Sequence, residues 1–478
     1  MSRPGAAVGG LRWRSMLFPS VQFGIFFPIV LALSWALMSR PRLWKPVILV
    51  ASYVFYAAAS PVFCLLLGGV TLWNHGAARL IHRSASERTR WRLCAAAVAG
   101  DLFVLGVFKY YSFFVQGFAR ALHAVSLGVP LPLITIALPV GISFFTFQAI
   151  SYTVDVKRGL IEPARLIDTA IYLSFFPHLV AGPIVRAREF LPQLARPRDP
   201  EHVAVSSGLT LIGMGLVKKV VIADYLGRVA VDPVFAVPHA YHAPDVLLAA
   251  YAYAAQIYCD FSGYTDMAIG LALLLGFVFP QNFNSPYRAT GFRDFWRRWH
   301  MTLSRFLRDF LYIPLGGNRG SRLFTYRNLM ITMLLGGLWH GAAWTFVIWG
   351  AFNGIGLVSE HAIAGRFKTP GWLRWLVTFN LVVLGWIIFR AQNIGVAWSF
   401  LSRLGSPGAP TLWRAPVLLA IAVAIGPQLL PPRPLERFQD WAGRLRPAVL
   451  AVALGILILF VAATVSSDGV PPFIYFRF

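Results

Sequence analysis

Charge is what this sequence has least of. Asp, Glu, Lys and Arg together make up 13% of its 478 residues, about half the ~25% of a soluble domain. Apolar residues make up 57%, so too little polar surface remains to wrap a water-facing core. A soluble globular chain is excluded, and with it a disordered, collagen-like or coiled-coil one. Cysteine is nearly absent: Cys64, Cys94 and Cys259 show no CxxC spacing, so no disulfide framework and no cysteine metal site is expected. HExxH, GxxxxGK[ST] and GxSxG are missing, and Gly213-Met214-Gly215 lacks the third glycine of a dinucleotide fingerprint. Metalloprotease, P-loop ATPase and serine hydrolase chemistry fall away. A polytopic all-α membrane protein remains.

The charge that is present is one-sided, with 43 Lys+Arg against 19 Asp+Glu. The basic residues lie in short clusters between apolar stretches, at Arg79 to Arg92, Arg186 to Arg198, Arg288 to Arg327, Arg366 to Arg374 and Arg433 to Arg446. That is the pattern of cytoplasmic membrane loops, and it makes anionic lipid rather than nucleic acid the expected partner. The first apolar run, Val21 to Leu37, has a basic flank but no small-x-small cleavage pattern, so it reads as a retained first span. Met16 opens a natural start, residues 1–15 read as a dispensable extension, and 16–478 as one integral membrane domain.

Apolar segments recur along the whole chain. A helix needs ~20 such residues to cross the hydrocarbon, which gives roughly 11 to 13 spans. Ser60-Pro61 and Gly263 read as breaks at hairpins. Between Val229 and Tyr287 there is no Lys or Arg, so 232–245 should face away from the cytoplasm and the Arg-rich 288–328 segment toward it. Two full spans in 246–280 would contradict that assignment, unless one is re-entrant or the Arg-rich segment is held inside the protein. Within 292–310, Phe295, Trp296, Trp299, Leu303, Phe306, Leu307 and Phe310 share one helical arc and the arginines another, which predicts one amphipathic helix with His300 pointing inward.

Ionisable residues inside apolar runs cost ~2.5–3.5 kcal/mol each on insertion scales, so each needs a reason. These are Asp101, His178, Asp224, Asp260, Asp266, His340 and Glu360. His340 lies in Gly336-Gly337-Leu338-Trp339-His340-Gly341, where glycines admit a close neighbour or a ligand. An imidazole there can take a proton from a hydroxyl and return it to a leaving thiolate; a packing role is equally compatible with the residues alone. His300, after Trp296-Arg297-Arg298-Trp299, leaves the same two readings open. Arg297 and Arg298 suit lipid phosphate or the phosphates of a donor. Asp260 and Asp266 are six apart and share no helical face, so helix capping or pairing with an arginine is expected of them, a structural role. The stretch 281–287, which holds Asn284, reads as a polar turn closed by proline.

The motifs CDFSGYTDMAIG, QNFNSPY, FWRRWHMTLSRFLRDFLYIPLGGNRG and GGLWHGAAWTFVIWG, with LPVGISFFTFQAISYTVDVKRG, FFPHLVAGPIVR and the chain end PFIYFRF, closely resemble those of the membrane-bound O-acyltransferases. Within that family they resemble the bacterial alginate O-acetylation branch, nearly end to end, with the motif core at about 255–355. The resemblance implies a ring of helices around a central tunnel, His340 as catalytic histidine and His300 as a second one. Trp299, Arg297, Arg298, Trp339 and Asn284 accompany them as candidates for binding donor or acceptor. It implies no permanently bound cofactor and no metal. The implied donor is a cytoplasmic thioester, acetyl-CoA, and the implied acceptor an exported polysaccharide. A periplasmic serine-hydrolase-like (SGNH) acetyl acceptor and a polysaccharide biosynthesis complex in the inner membrane are the implied partners. D-alanyl transfer to teichoic acid is a rival on the same fold. A proton-coupled transporter using Asp101, His178, Asp224 and His340 is a rival of another class, though no inverted repeat is visible; an interaction scaffold is a third.

Overall fold

The computed structural model describes residues 16–124, 136–180, 182–363, 369–430 and 434–464. The expected N-terminal extension 1–15 and the motif PFIYFRF lie outside the described residues. Every regular element described is helical.

Burial runs opposite to that of a water-soluble bundle. In helix Val21–Leu37 the residues Val21, Ile25, Ile29 and Leu33, spaced by one helical turn, point outward, while Phe23, Phe27, Val30 and Ser34 are buried. An outward apolar stripe is stable only against lipid. Four helices, at 87–119, 205–236, 344–363 and 371–390, are long and apolar enough to cross a membrane, and Val21–Leu37, Ala415–Leu429 and Pro447–Val461 are shorter apolar helices. Others reach membrane length but carry polar groups that lower their hydropathy: Asn74 and His75 in Pro61–Arg83, Arg322 and Arg327 in Arg322–His340. Against the roughly 11 to 13 spans expected from ~20-residue apolar runs, four of the described helices qualify by length and composition.

Helix Ala243–Leu274 is one unbroken element of 32 residues, about 48 Å long at 1.5 Å per residue. The expected break at Gly263 is therefore corrected. Gly263 serves instead as a contact point, because a Cβ there would stand 2.8 Å from the carbonyl oxygen of Gly215 on the 205–236 helix. Seven residues away, a Cβ on Gly270 would meet the Gly208 carbonyl at 2.6 Å. The two helices thus run antiparallel with their backbones touching at two glycine pairs, as small residues allow inside a membrane. Because the element is one helix and not two, the 237–242 turn and the 288–328 segment lie at its opposite ends.

Around Val217–Ala223 the 205–236 helix widens into a π-helix, and Lys218 and Lys219 both meet the Ala243–Leu274 helix from it. Lys219 Nζ lies 2.7 Å from Asp224 and 2.5 Å from Asp260, with all three side chains buried. Lys218 Nζ lies 2.6 Å from Asp266. Helix capping or an arginine partner is expected of Asp260 and Asp266 from the sequence; instead both pair with lysines, and both carboxylates sit in mid-helix rather than at a cap. The sequence sets the lysines between Leu216-Val217 and Val220-Val221-Ile222, but which distant carboxylates they turn to is not legible there.

The predicted single helix over 292–310 is also corrected. Helix Phe292–Trp296 stops, His300 takes a left-handed conformation (φ 42°), and a second helix, Met301–Leu307, follows. A non-glycine residue in that region is uncommon. The break is held open by pairing with the 282–284 loop: Asn284 N–H donates to Arg298 O and Met301 N–H to Asn282 O, each at 2.9 Å. A helical wheel carries no information about such pairing with a distant loop.

Candidate active site

Helix Arg322–His340 begins under a Ser321 cap, whose hydroxyl accepts from Phe324 N–H at 3.3 Å. It ends on His340 because Gly341 is extended and any Cβ there would run into the Phe346 ring. Gly337 lets the following helix, 344–363, lie against this one: a Cβ at 337 would strike Phe346 O and stand 3.0 Å from Gly350 Cα. Gly337 therefore serves close approach of backbone to backbone, and Gly341 makes room for an aromatic ring.

The last carbonyls of a helix have no partner within it. Here the 87–124 helix supplies the partners. Tyr110 Oη donates to Leu338 O at 2.8 Å, and Lys109 Nζ donates to Trp339 O, to His340 O at 3.2 Å and to Ser143 Oγ at 3.3 Å.

The His340 ring is 4% exposed and is packed edge-to-face by Trp339, Trp349 and Phe389 at centroid distances of 5.0, 5.1 and 5.4 Å. It lines a cavity of about 170 Å³ whose other walls are Trp339, Lys109 and residues 138–144. Gly141 in that wall has φ 76°, and Leu179 O occupies the place of its missing Cβ, so the loop can turn there only with glycine.

His300 is fully buried. Its Nδ1 is 3.1 Å from Asn282 Oδ1, which also accepts from Thr302 N–H at 3.2 Å and from the Thr302 hydroxyl at 2.9 Å. A backbone N–H can only donate, so the Asn282 atom is the oxygen and His300 Nδ1 carries the proton. That tautomer leaves the lone pair on Nε2, which has no hydrogen-bond partner among the described residues. The two imidazoles share one indole: Trp339 lies 6.2 Å from His300 and 5.0 Å from His340. On the far side of His300, Asn282 lines a second cavity of about 580 Å³, together with Asn284, Gln281, Lys218 and Asp266. Asn282, His300, Trp339 and His340 form a continuous series from the larger cavity to the smaller.

Both histidines fall inside residues 137–398, which match the family model of MBOAT, the membrane-bound O-acyltransferase family. The chain belongs to that family. This acyltransferase is 46% identical over 406 residues to a Pseudomonas aeruginosa protein named "Probable alginate O-acetylase AlgI", covering 82% of this chain and 75% of the relative. It is 42% identical over 513 residues to an Azotobacter vinelandii protein of the same name, covering 97% and 100%. A Helicobacter pylori "Peptidoglycan O-acetyltransferase" is 37% identical over 403 residues, covering 76% and 73%.

The remaining predicted residues of the acyltransferase divide by position. Trp339 lines the small cavity and Asn284 the large one. Trp299 lines neither: it is packed against Phe283, Phe295 and Trp386 at 4.8 to 5.7 Å. Arg298 is tied to Asp294 at 2.8 Å, and Arg297 is exposed. Asp101 accepts from Asn74 at 2.8 Å, the His178 ring meets Tyr172 O at 2.9 Å, and Asp224 pairs with Lys219. With His340 beside Lys109, the four residues of the relay reading are held by four separate partner sets. Glu360 accepts from Arg293 N–H at 3.0 Å. Lys109 and Asn282 are the site residues that the sequence reading passes over. Lys109 carries the same signal as Asp101, an ionisable group inside an apolar run; Asn282 carries none apart from its motif.

Proposed function

We propose that this O-acyltransferase moves an acetyl group from acetyl-CoA at the cytoplasmic face of the inner membrane toward an exported, alginate-like polysaccharide, with His340 as general base. The observation that carries the reading is the placement of His340: a buried imidazole at a helix end, on the wall of a cavity, joined through Trp339 and His300 to a second cavity. Neutral imidazole removes the proton of the acceptor hydroxyl as its oxygen attacks the thioester carbonyl. The tetrahedral adduct expels the coenzyme A thiolate, which takes the proton back from the imidazolium. An acetyl ester and free coenzyme A result. The names of relatives at 42–46% identity favour acetyl over D-alanyl transfer. The separate partners of Asp101, His178 and Asp224 speak against a proton relay. A periplasmic serine-hydrolase-like protein receiving the acetyl group, docking of the anionic donor by the Arg-rich 288–328 segment and anionic lipid around it belong to the same proposal.

Inverted inner-membrane vesicles given radiolabelled acetyl-CoA are expected to accumulate alkali-labile label inside, and right-side-out vesicles none. Equal labelling in both orientations would exclude a cytoplasmic donor. In this scheme His300 holds the path between the cavities and supplies Nε2 to a substrate hydroxyl. His300→Ala is expected to lower turnover about 10²-fold, the cost of a misplaced reactant; acetyl release at more than half the wild-type rate would reduce His300 to packing.

A further inference from the structure

Lys109 is the one charged side chain in the wall of the small cavity, and its bonds show what it does there. An ammonium has three N–H donors and no acceptor. Three oxygens stand around this one, Ser143 Oγ, Trp339 O and His340 O, so no donor is left for a substrate. Two of the three belong to the end of the helix that bears His340, and Tyr110 Oη takes the carbonyl just before them. Three successive carbonyls of that end, at 338, 339 and 340, are thus held by two adjacent residues of one neighbouring helix. A positive charge there also complements the negative end of the helix dipole. The third oxygen, Ser143 Oγ, belongs to the opposite cavity wall.

We propose that Lys109, with Tyr110, is a positioning residue for acyl transfer: it clamps the last turn of helix Arg322–His340 to the 138–144 wall and so fixes the His340 ring at the cavity. A helix end without these donors frays into whatever hydrogen bonds it finds, and His340 is its last residue. Proton transfer needs the ring within hydrogen-bond reach of the acceptor hydroxyl, so the clamp acts on rate rather than on substrate affinity. The inference rests on the reading of His340 as the base.

The test uses the full-length protein in proteoliposomes with acetyl-CoA as donor and an alginate oligosaccharide enclosed in the lumen as hydroxyl acceptor, turnover being read as released coenzyme A thiol. Lys109→Met is expected to lower kcat about 10²-fold, as an ångström-scale misplacement does, with KM for acetyl-CoA within about twofold; Lys109→Arg, which keeps charge and donors, is expected to recover part of it. Tyr110→Phe and Ser143→Ala each remove one tether without removing charge, and smaller falls in kcat at constant KM are expected of them. They decide the matter should Lys109→Met fail to accumulate. Wild-type kcat in Lys109→Met, or in both tether variants, overturns the clamp, and so does a loss confined to KM, which would make Lys109 a substrate contact. His340→Ala is measured alongside: turnover persisting there removes the base assignment, whereas a dead His340→Ala beside fully active Lys109→Met removes the clamp alone.

Discussion

Alanine at position 340 is expected to abolish acetylation of the polysaccharide while the protein still inserts and accumulates. General base catalysis contributes about 10²–10⁴-fold, and nothing else at the small cavity can replace it. Of the residues lining that cavity, Lys109 and His340 are the ionisable ones, and the Lys109 ammonium already spends its donors on three oxygens. The fold has little reason to suffer. The ring is held by edge-to-face aromatic contacts to Trp339, Trp349 and Phe389, each worth only about 0.5–1.5 kcal/mol beyond its burial, and the glycine contacts at 337 and 341 are backbone features that a change at 340 leaves alone. The measurement is acetyl content of the exported polymer, normalised to the amount of protein in the membrane. Unchanged acetyl content would remove His340 from the mechanism.

The second large effect is on stability. Lys219→Met is expected to cost about 3–5 kcal/mol, the usual result of removing one partner from a buried ionic cluster. Asp224 and Asp260 would keep two negative charges in the protein interior and lose the ammonium that both contact at 2.7 and 2.5 Å. Loss of the protein from the membrane, or a melting temperature in detergent far below wild type, is the expected reading. Lys219→Met combined with Asp260→Asn removes one of those charges and should recover part of the loss. A single variant that accumulates and melts like wild type would show that the cluster carries no structural weight.

Much of the molecule was legible in its sequence because the bilayer is an insistent solvent. Scarce charge, recurrent apolar runs and clustered arginines leave few architectures open. His340 was visible as an ionisable group between glycines in an apolar run, and its burial against a cavity follows that pattern. What the sequence did not reveal depends on distant partners. The amphipathic pattern over 292–310 is real up to Trp296, then gives way because Asn282 and Asn284 offer Arg298 and Met301 hydrogen bonds that a continuous helix would forgo. Gly263 reads as a breaker in isolation and is a contact only because Gly215 lies across from it. Lys109 lies in the same apolar run as Asp101 and gives the same signal, but nothing in the run says which groups it bonds. Only the carbonyls of another helix give it a purpose.

The paired glycines at 208 with 270 and at 215 with 263 have a mechanical consequence. Where main chains rest directly on one another, there is no layer of rotatable side chains to act as a bearing, and the two rods cannot slide or roll without colliding. Together with the lysine pairs bolted across the same seam, they make the 205–236 and 243–274 helices the stiff mast of the molecule. Any breathing that lets a substrate in and out is left to the helices around it, and the C-terminal helices that line the larger cavity are the first place to look for that movement.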